Sequence, residues 1–327
     1  MGAPQQGVTT PTNGAVRATG RRRTRAALAI GALVAVAGAS AVTVALLGAG
    51  IAARGTGELH IPAPGTTTVL RAAVFTALAL HLGELAGARL TGTGPTPRSW
   101  ALWTALGGAA AAAGQIVLLA EVSDLDLTAT YGTRDGGLLL AMANGFALAA
   151  GCVALRRPGW ATGPLALVIG AEAMRAHPEP YTPEWGTALT VVHLTAASLW
   201  VGGLLYALRT TRLRGGAARE VLVRYARLAG WLYVALAATG TCSTLRRLPA
   251  DVVFSTAYGR VLIAKLALVA VASALALAAR RRLRRGGDAT RPARAEVAAL
   301  AGVVLVSAVL TVVPDPHWLS LRSALLR

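Results

Sequence analysis

Thr187–Leu208 reads TALTVVHLTAASLWVGGLLYAL. The stretch is apolar throughout and long enough to cross a bilayer as a helix, which takes about 20 residues. His193 lies inside it, and Trp200 follows seven residues later. That spacing is close to two helical turns, so the two rings share a face. Gly202 and Gly203 come next and remove side-chain bulk, which lets a neighbouring helix approach closely. An ionisable ring in an apolar span is costly and points to function, with a hydrogen bond to a neighbouring helix as the plainer alternative.

The rest of the chain has the same character. Of its 327 residues 54% are hydrophobic and only 14% charged, which excludes a soluble domain. Long apolar runs alternate with short polar breaks, and Ala and Leu dominate over any strand-like alternation. The expected fold is therefore an all-α polytopic membrane protein. The net charge of +18 does not imply nucleic acid, because the arginines flank apolar runs and so act as an orientation signal. Cys152 and Cys242 fall inside predicted spans without CxxC spacing and read as packing thiols.

In order along the chain, residues 1–24 are expected to be a disordered cytoplasmic tail, ending in Arg21, Arg22 and Arg23. An uncleaved anchor is expected over 26–53, since that run is too long for a signal-peptide core. Further spans are expected near 67–88, 99–120, 136–155, 161–176, 187–208, 227–245, 259–280 and 295–313, about nine in all. They divide into an N-terminal helical part (25–186), a second helical part (187–313) and a tail (314–327). With the N-terminus inside, the inner connections take Arg89 and Arg98, Arg156 and Arg157, the run from Arg209 to Arg227, and Arg280 to Arg294. That asymmetry places the C-terminus outside.

On this topology His60, His177 and His317 lie on the outer face, and His193 about two turns inside it. Met174 and His177, three residues apart, would share a helix face, and a thioether beside an imidazole suits copper better than harder cations, the plainer alternative being a packing Met174 and a solvated loop histidine before Pro178. His60 and His317 are candidates for metal capture at the same face. Lys265 is the sole lysine of the chain and sits about two turns inside the eighth span. It reads either as a snorkelling side chain or as a fixed charge that pairs with a carboxylate or gates cations.

Three blocks carry a family resemblance. HLTAASLWVGGLLYAL from His193, RYARLAGW at 224–231 and YGRVLIAK at 258–265 resemble the copper resistance D (CopD) family of bacterial membrane proteins. The resemblance is good over about 187–313 and looser upstream. It implies movement or homeostasis of copper at the bacterial cytoplasmic membrane, with His193, Trp200, Gly202 and Gly203 in the first block and Tyr258, Gly259, Arg260 and Lys265 in the last. Related members carry a Gly-His pair before the first block, and here that position reads Ala176-His177.

No Walker-type loop and no CPC pair is present in the chain. The expectation is thus a permease that uses no ATP and catalyses no reaction. Copper would be captured at His177 and Met174 and passed to His193, while Trp200, Arg260 and Lys265 shape the pathway or gate. Expected partners are the copper ion, the lipid bilayer and an extracytoplasmic copper-binding protein. Two alternatives stand beside it. One is a membrane haem protein using His81 and His193, disfavoured by their unequal depths. The other is a copper-binding assembly or sensing partner that transports nothing.

Overall fold

The computed structural model describes residue 36 and residues 38–59, 61–92, 94–176, 183–215, 218–248 and 250–314. His60, His177 and His317, the tail over 1–24 and the C-terminal residues from 315 lie outside the described residues. Residues 1–43 form one unit and 44–327 a second. Every helix of membrane-spanning length among the described residues belongs to the second.

Among the described residues the chain is helical and contains no strand. The helices are α1 (Gly38–Ala52), α2 (Pro64–Thr91), α3 (Ala101–Ser123), α4 (Leu127–Gly132), α5 (Arg134–Ala154), α6 (Thr162–Arg175), α7 (Pro183–Arg214), α8 (Ala218–Arg247), α9 (Ala257–Arg284) and α10 (Thr290–Leu310). Seven of them, α2, α3, α5, α7, α8, α9 and α10, are long and apolar enough to cross a membrane. The two remaining expected spans are shorter among the described residues, which for the first begin only at 36. α6 has 14 residues, about 21 Å of helix, against a hydrocarbon thickness of about 30 Å.

Local chemistry explains where these helices start. Pro64 and Pro183 open α2 and α7, and Pro164 and Pro292 stand in the first turns of α6 and α10, where a missing N–H has no partner to lose. Thr133 caps α5 by accepting from Gly136 N at 3.0 Å, and Thr256 caps α9 by accepting from Gly259 N at 3.1 Å. Asp126 caps α4 by accepting from Ala129 N at 2.7 Å. The Thr128 hydroxyl and that amide hold its carboxyl below the usual carboxylate range.

Two groups of helices build the interior. α2, α3, α5 and α6 enclose Leu78, Leu139, Met142, Phe146, Leu165 and Val168. α7 to α10 enclose Trp200, Leu204, Tyr225 and Leu300. The seam between the groups is the pairing of α2 with α7, which run in the same direction: Ala79 meets Gly202, Gly87 meets Tyr206, and Glu84 meets Arg209. At the crossing, a Cβ on Gly202 would lie 2.7 Å from the Ala79 carbonyl carbon and 2.9 Å from the Gly83 Cα. Only glycine fits there. The seam is also pinned by Glu84 and Arg209 at 2.8 Å, both nearly buried, and by Arg214 Nη1 donating to the Thr91 carbonyl at 2.6 Å.

Candidate functional site in helices α7 to α10

His193 sits in the third turn of α7, half-buried, with its ring turned to α8. Its Nδ1 is 2.9 Å from the Thr239 Oγ1 of α8. The Thr239 hydroxyl spends its single proton on the Ala235 carbonyl, at 2.7 Å. With that proton on Ala235, the Thr239 oxygen is placed to accept from the ring, the arrangement that assigns the proton to Nδ1. No hydrogen bond to Nε2 is made among the described residues, which leaves its lone pair free. A ring oriented this way by a neighbour is the usual arrangement of a metal-ligating histidine. Gly240 lies beside the ring, where a Cβ would make an ordinary contact of 3.6 Å with the His193 Cε1.

Lys265 of α9 is partly buried, and its charge reaches the His193 ring. It forms no ion pair among the described residues. The ring is thus held by the seventh expected span, and the eighth contributes the charge.

Seven residues along α7, about 10 Å by helical rise, Trp200 is 4% exposed and enclosed by protein. Its Nε1–H donates to the Glu296 Oε1 of α10 at 2.9 Å. The Tyr225 hydroxyl donates to the Trp200 carbonyl at 2.8 Å, and Tyr233 packs edge-on at 6.0 Å. Glu296 is 3% exposed. Sequence reading passed over it because it stands among Arg291, Arg294 and the polar start of a span, where a carboxylate is normally solvated. The signal that finds it is its spacing from Leu300, four residues on and on the same buried stripe.

The other expected site residues are dispersed. Arg260 clasps the end of α1, donating from Nη1 to the carbonyls of Ala52 at 3.1 Å and Arg54 at 2.7 Å, and from Nε to Phe254 at 3.3 Å. A cation on exposed carbonyls at a helix C-terminus is a favourable cap. Met174 lies in the last turn of α6 and is 47% exposed. Gly202 lies against α2, whereas Gly203 faces the Tyr225 ring, whose Cε2 would stand 3.2 Å from an added Cβ. Among the described residues no three His, Cys, Asp or Glu side chains cluster as a metal site.

Two further polar groups lie in the α2, α3, α5 and α6 half. Glu172 is 4% exposed and bridges Arg175 at 3.3 Å and Arg71 at 3.8 Å, and Arg175 also donates to Gln115 Oε1 at 3.1 Å. The charges that weaken the apolar signal of α6 therefore satisfy one another. His81 is fully buried in α2, and neither ring nitrogen has a partner. The α2–α7 register sets His81 level with Gly202, nine residues beyond His193, an offset of about 13 Å. One transverse haem does not reach both rings.

Residues 219–313 match the family model for CopD, copper resistance protein D. The match covers α8, α9 and α10 and supports the resemblance read from the three blocks. No match was found among curated proteins or among solved structures. The family implies a copper-resistance-related membrane protein.

Proposed function

With a copper resistance D segment over α8 to α10, we propose that the protein is a copper permease of the bacterial cytoplasmic membrane that works without ATP hydrolysis. In this reading the chain crosses the membrane nine times, α1 and α6 included, with the N-terminus inside and the C-terminus outside. It catalyses no chemical reaction. An extracytoplasmic copper-binding protein delivers the ion to the outer face.

The observation that carries the proposal is the state of His193. Thr239 holds Nδ1–H, so a neutral nitrogen lone pair is offered at a fixed angle inside the membrane. That lone pair is the first intramembrane station for copper. His177 and the exposed Met174 thioether receive the ion before it, with His60 and His317 at the same mouth. Glu296, one further step along α7, supplies the next acidic oxygen, positioned by Trp200. Lys265 sets an electrostatic barrier beside the first station, because a fixed ammonium repels a passing cation.

The test is copper accumulation in cells carrying the wild type, His193→Ala or no protein, at matched membrane expression. Accumulation that follows the wild type and is lost in His193→Ala supports the permease. Equal accumulation in all three removes it. Copper bound by purified protein without any change in accumulation would leave only a binding or sensing role.

A further inference from the structure

At the far end of α7 from His193 there is a cavity of about 450 Å³. Its walls come from the end of α7, the start of α10 and the segment before α3. Four guanidinium groups line it, those of Arg98, Arg209, Arg212 and Arg294, and no acidic residue does. Arg209 is spoken for: it pairs with Glu84 at 2.8 Å, donates to the Arg98 carbonyl and lies over the Trp100 ring at 3.6 Å. Arg98, Arg212 and Arg294 are exposed and make no ion pair among the described residues. Three positive charges therefore face one cavity without a counter-charge.

The rest of the lining is apolar. Leu205, Leu208, Leu213 and Val297 form one wall, and Pro97 and Trp100 form another. A pocket that joins unpaired guanidinium groups to an apolar wall in this way matches an anionic amphiphile. A small soluble phosphoanion would use the arginines and leave the leucine wall unexplained. A zwitterionic lipid would bring its own ammonium against three guanidiniums.

We infer that the cavity formed by Arg98, Arg212 and Arg294 with Leu205, Leu213 and Val297 is a binding site for a phospholipid of net negative headgroup charge. The headgroup phosphate lies on the three unpaired arginines, and the glycerol and first acyl carbons lie along the leucines. The site spans α7 and α10, so a seated lipid ties the helix that carries His193 to the helix that carries Glu296.

The experiment uses full-length protein purified in detergent and depleted of lipid. Thermal stability and lipid retention by native mass spectrometry are followed while phosphatidylglycerol, phosphatidylcholine or inorganic phosphate is added. Phosphatidylglycerol is expected to stabilise and to be retained, and the other two are not. The Arg212→Gln/Arg294→Gln variant should lose about thirtyfold in apparent affinity. Arg284→Gln/Arg291→Gln removes the same charge from exposed positions outside the cavity lining and should retain wild-type affinity. Equal response to phosphatidylcholine, a full effect from inorganic phosphate, or equal loss in both double variants would each overturn the proposal. If the cavity variant fails to purify, Leu205→Asn/Val297→Asn tests the apolar wall with the arginines intact, and unchanged phosphatidylglycerol retention there refutes the site.

Discussion

Gly202 and Gly203 are adjacent, but the structure makes opposite demands on them. A Cβ on Gly202 would sit 2.7 Å from the Ala79 carbonyl carbon, 0.7 Å inside the 3.4 Å at which ordinary contact begins, and nearer still to the carbonyl oxygen. The obstacle is backbone in a paired helix, so relief requires α2 and α7 to move apart. That motion loosens the Glu84–Arg209 pair and the Arg214–Thr91 hydrogen bond together. Overpacking costs typically about 1–3 kcal/mol, and Gly202→Ala belongs at or above the upper end of that range because no rotamer change can absorb it. At Gly203 the nearest atom is the Tyr225 Cε2 at 3.2 Å, and a ring can yield by a few tenths of an ångström. Gly203→Ala should cost under about 1 kcal/mol, and its better helix propensity offsets part of that. Thermal unfolding of both variants in the same detergent is the assay. Gly202→Ala should melt several degrees below the wild type and Gly203→Ala close to it. Equal melting temperatures, or the reverse order, would refute the close crossing of α2 and α7.

Thr239→Val removes the acceptor that fixes the His193 tautomer, so copper affinity measured by chelator competition should fall about 10–100-fold while the fold persists; unchanged affinity contradicts the role given to Nε2. Lys265→Met removes a cation whose field reaches His193, so copper accumulation should rise several-fold at matched expression, in keeping with about 1–2 kcal/mol of relieved repulsion, and an unaltered rate assigns Lys265 to snorkelling. Glu296→Leu strands the Trp200 Nε1–H and should cost about 1–3 kcal/mol, while Glu296→Gln keeps an acceptor and most of the stability; the two are separated by thermal unfolding, and equal losses argue against that bond. Reporter fusions at the C-terminus should report the outer side, and an inner location breaks both the nine-span count and the outward cluster of histidines.

Helix positions were legible because apolar runs and arginine breaks report directly on lipid exposure. The short α6 is where that signal is weakest, since Glu172 and Arg175 lower its hydropathy while pairing inside the protein. His193 was legible as an isolated imidazole in an apolar run, but its holder was not: Thr239 is 46 residues away and reads as an ordinary helical threonine. Arg260 shows the opposite difficulty. A basic residue near a helix start reads as part of a pathway, and only the approach of the α1 carbonyls shows its capping contact. The partner surface of Gly202 could have been found, because Ala79, Gly83 and Gly87 repeat every fourth residue and form a small-residue stripe on α2.

The match to the copper resistance family begins at residue 219, after α7 has ended. Yet α8 leans mainly on α7 and only slightly on α9, its neighbour in the chain, and α10 reaches past α9 to α7 and α2. The segment that sequence comparison delimits is therefore not an autonomous folding unit. Excised at its own borders, it would lose the wall that seats Tyr225, the indole that engages Glu296, and the imidazole that Thr239 orients. Any transplant of this module into another scaffold has to carry α7 with it, and α7 in turn requires a glycine-lined companion at its back.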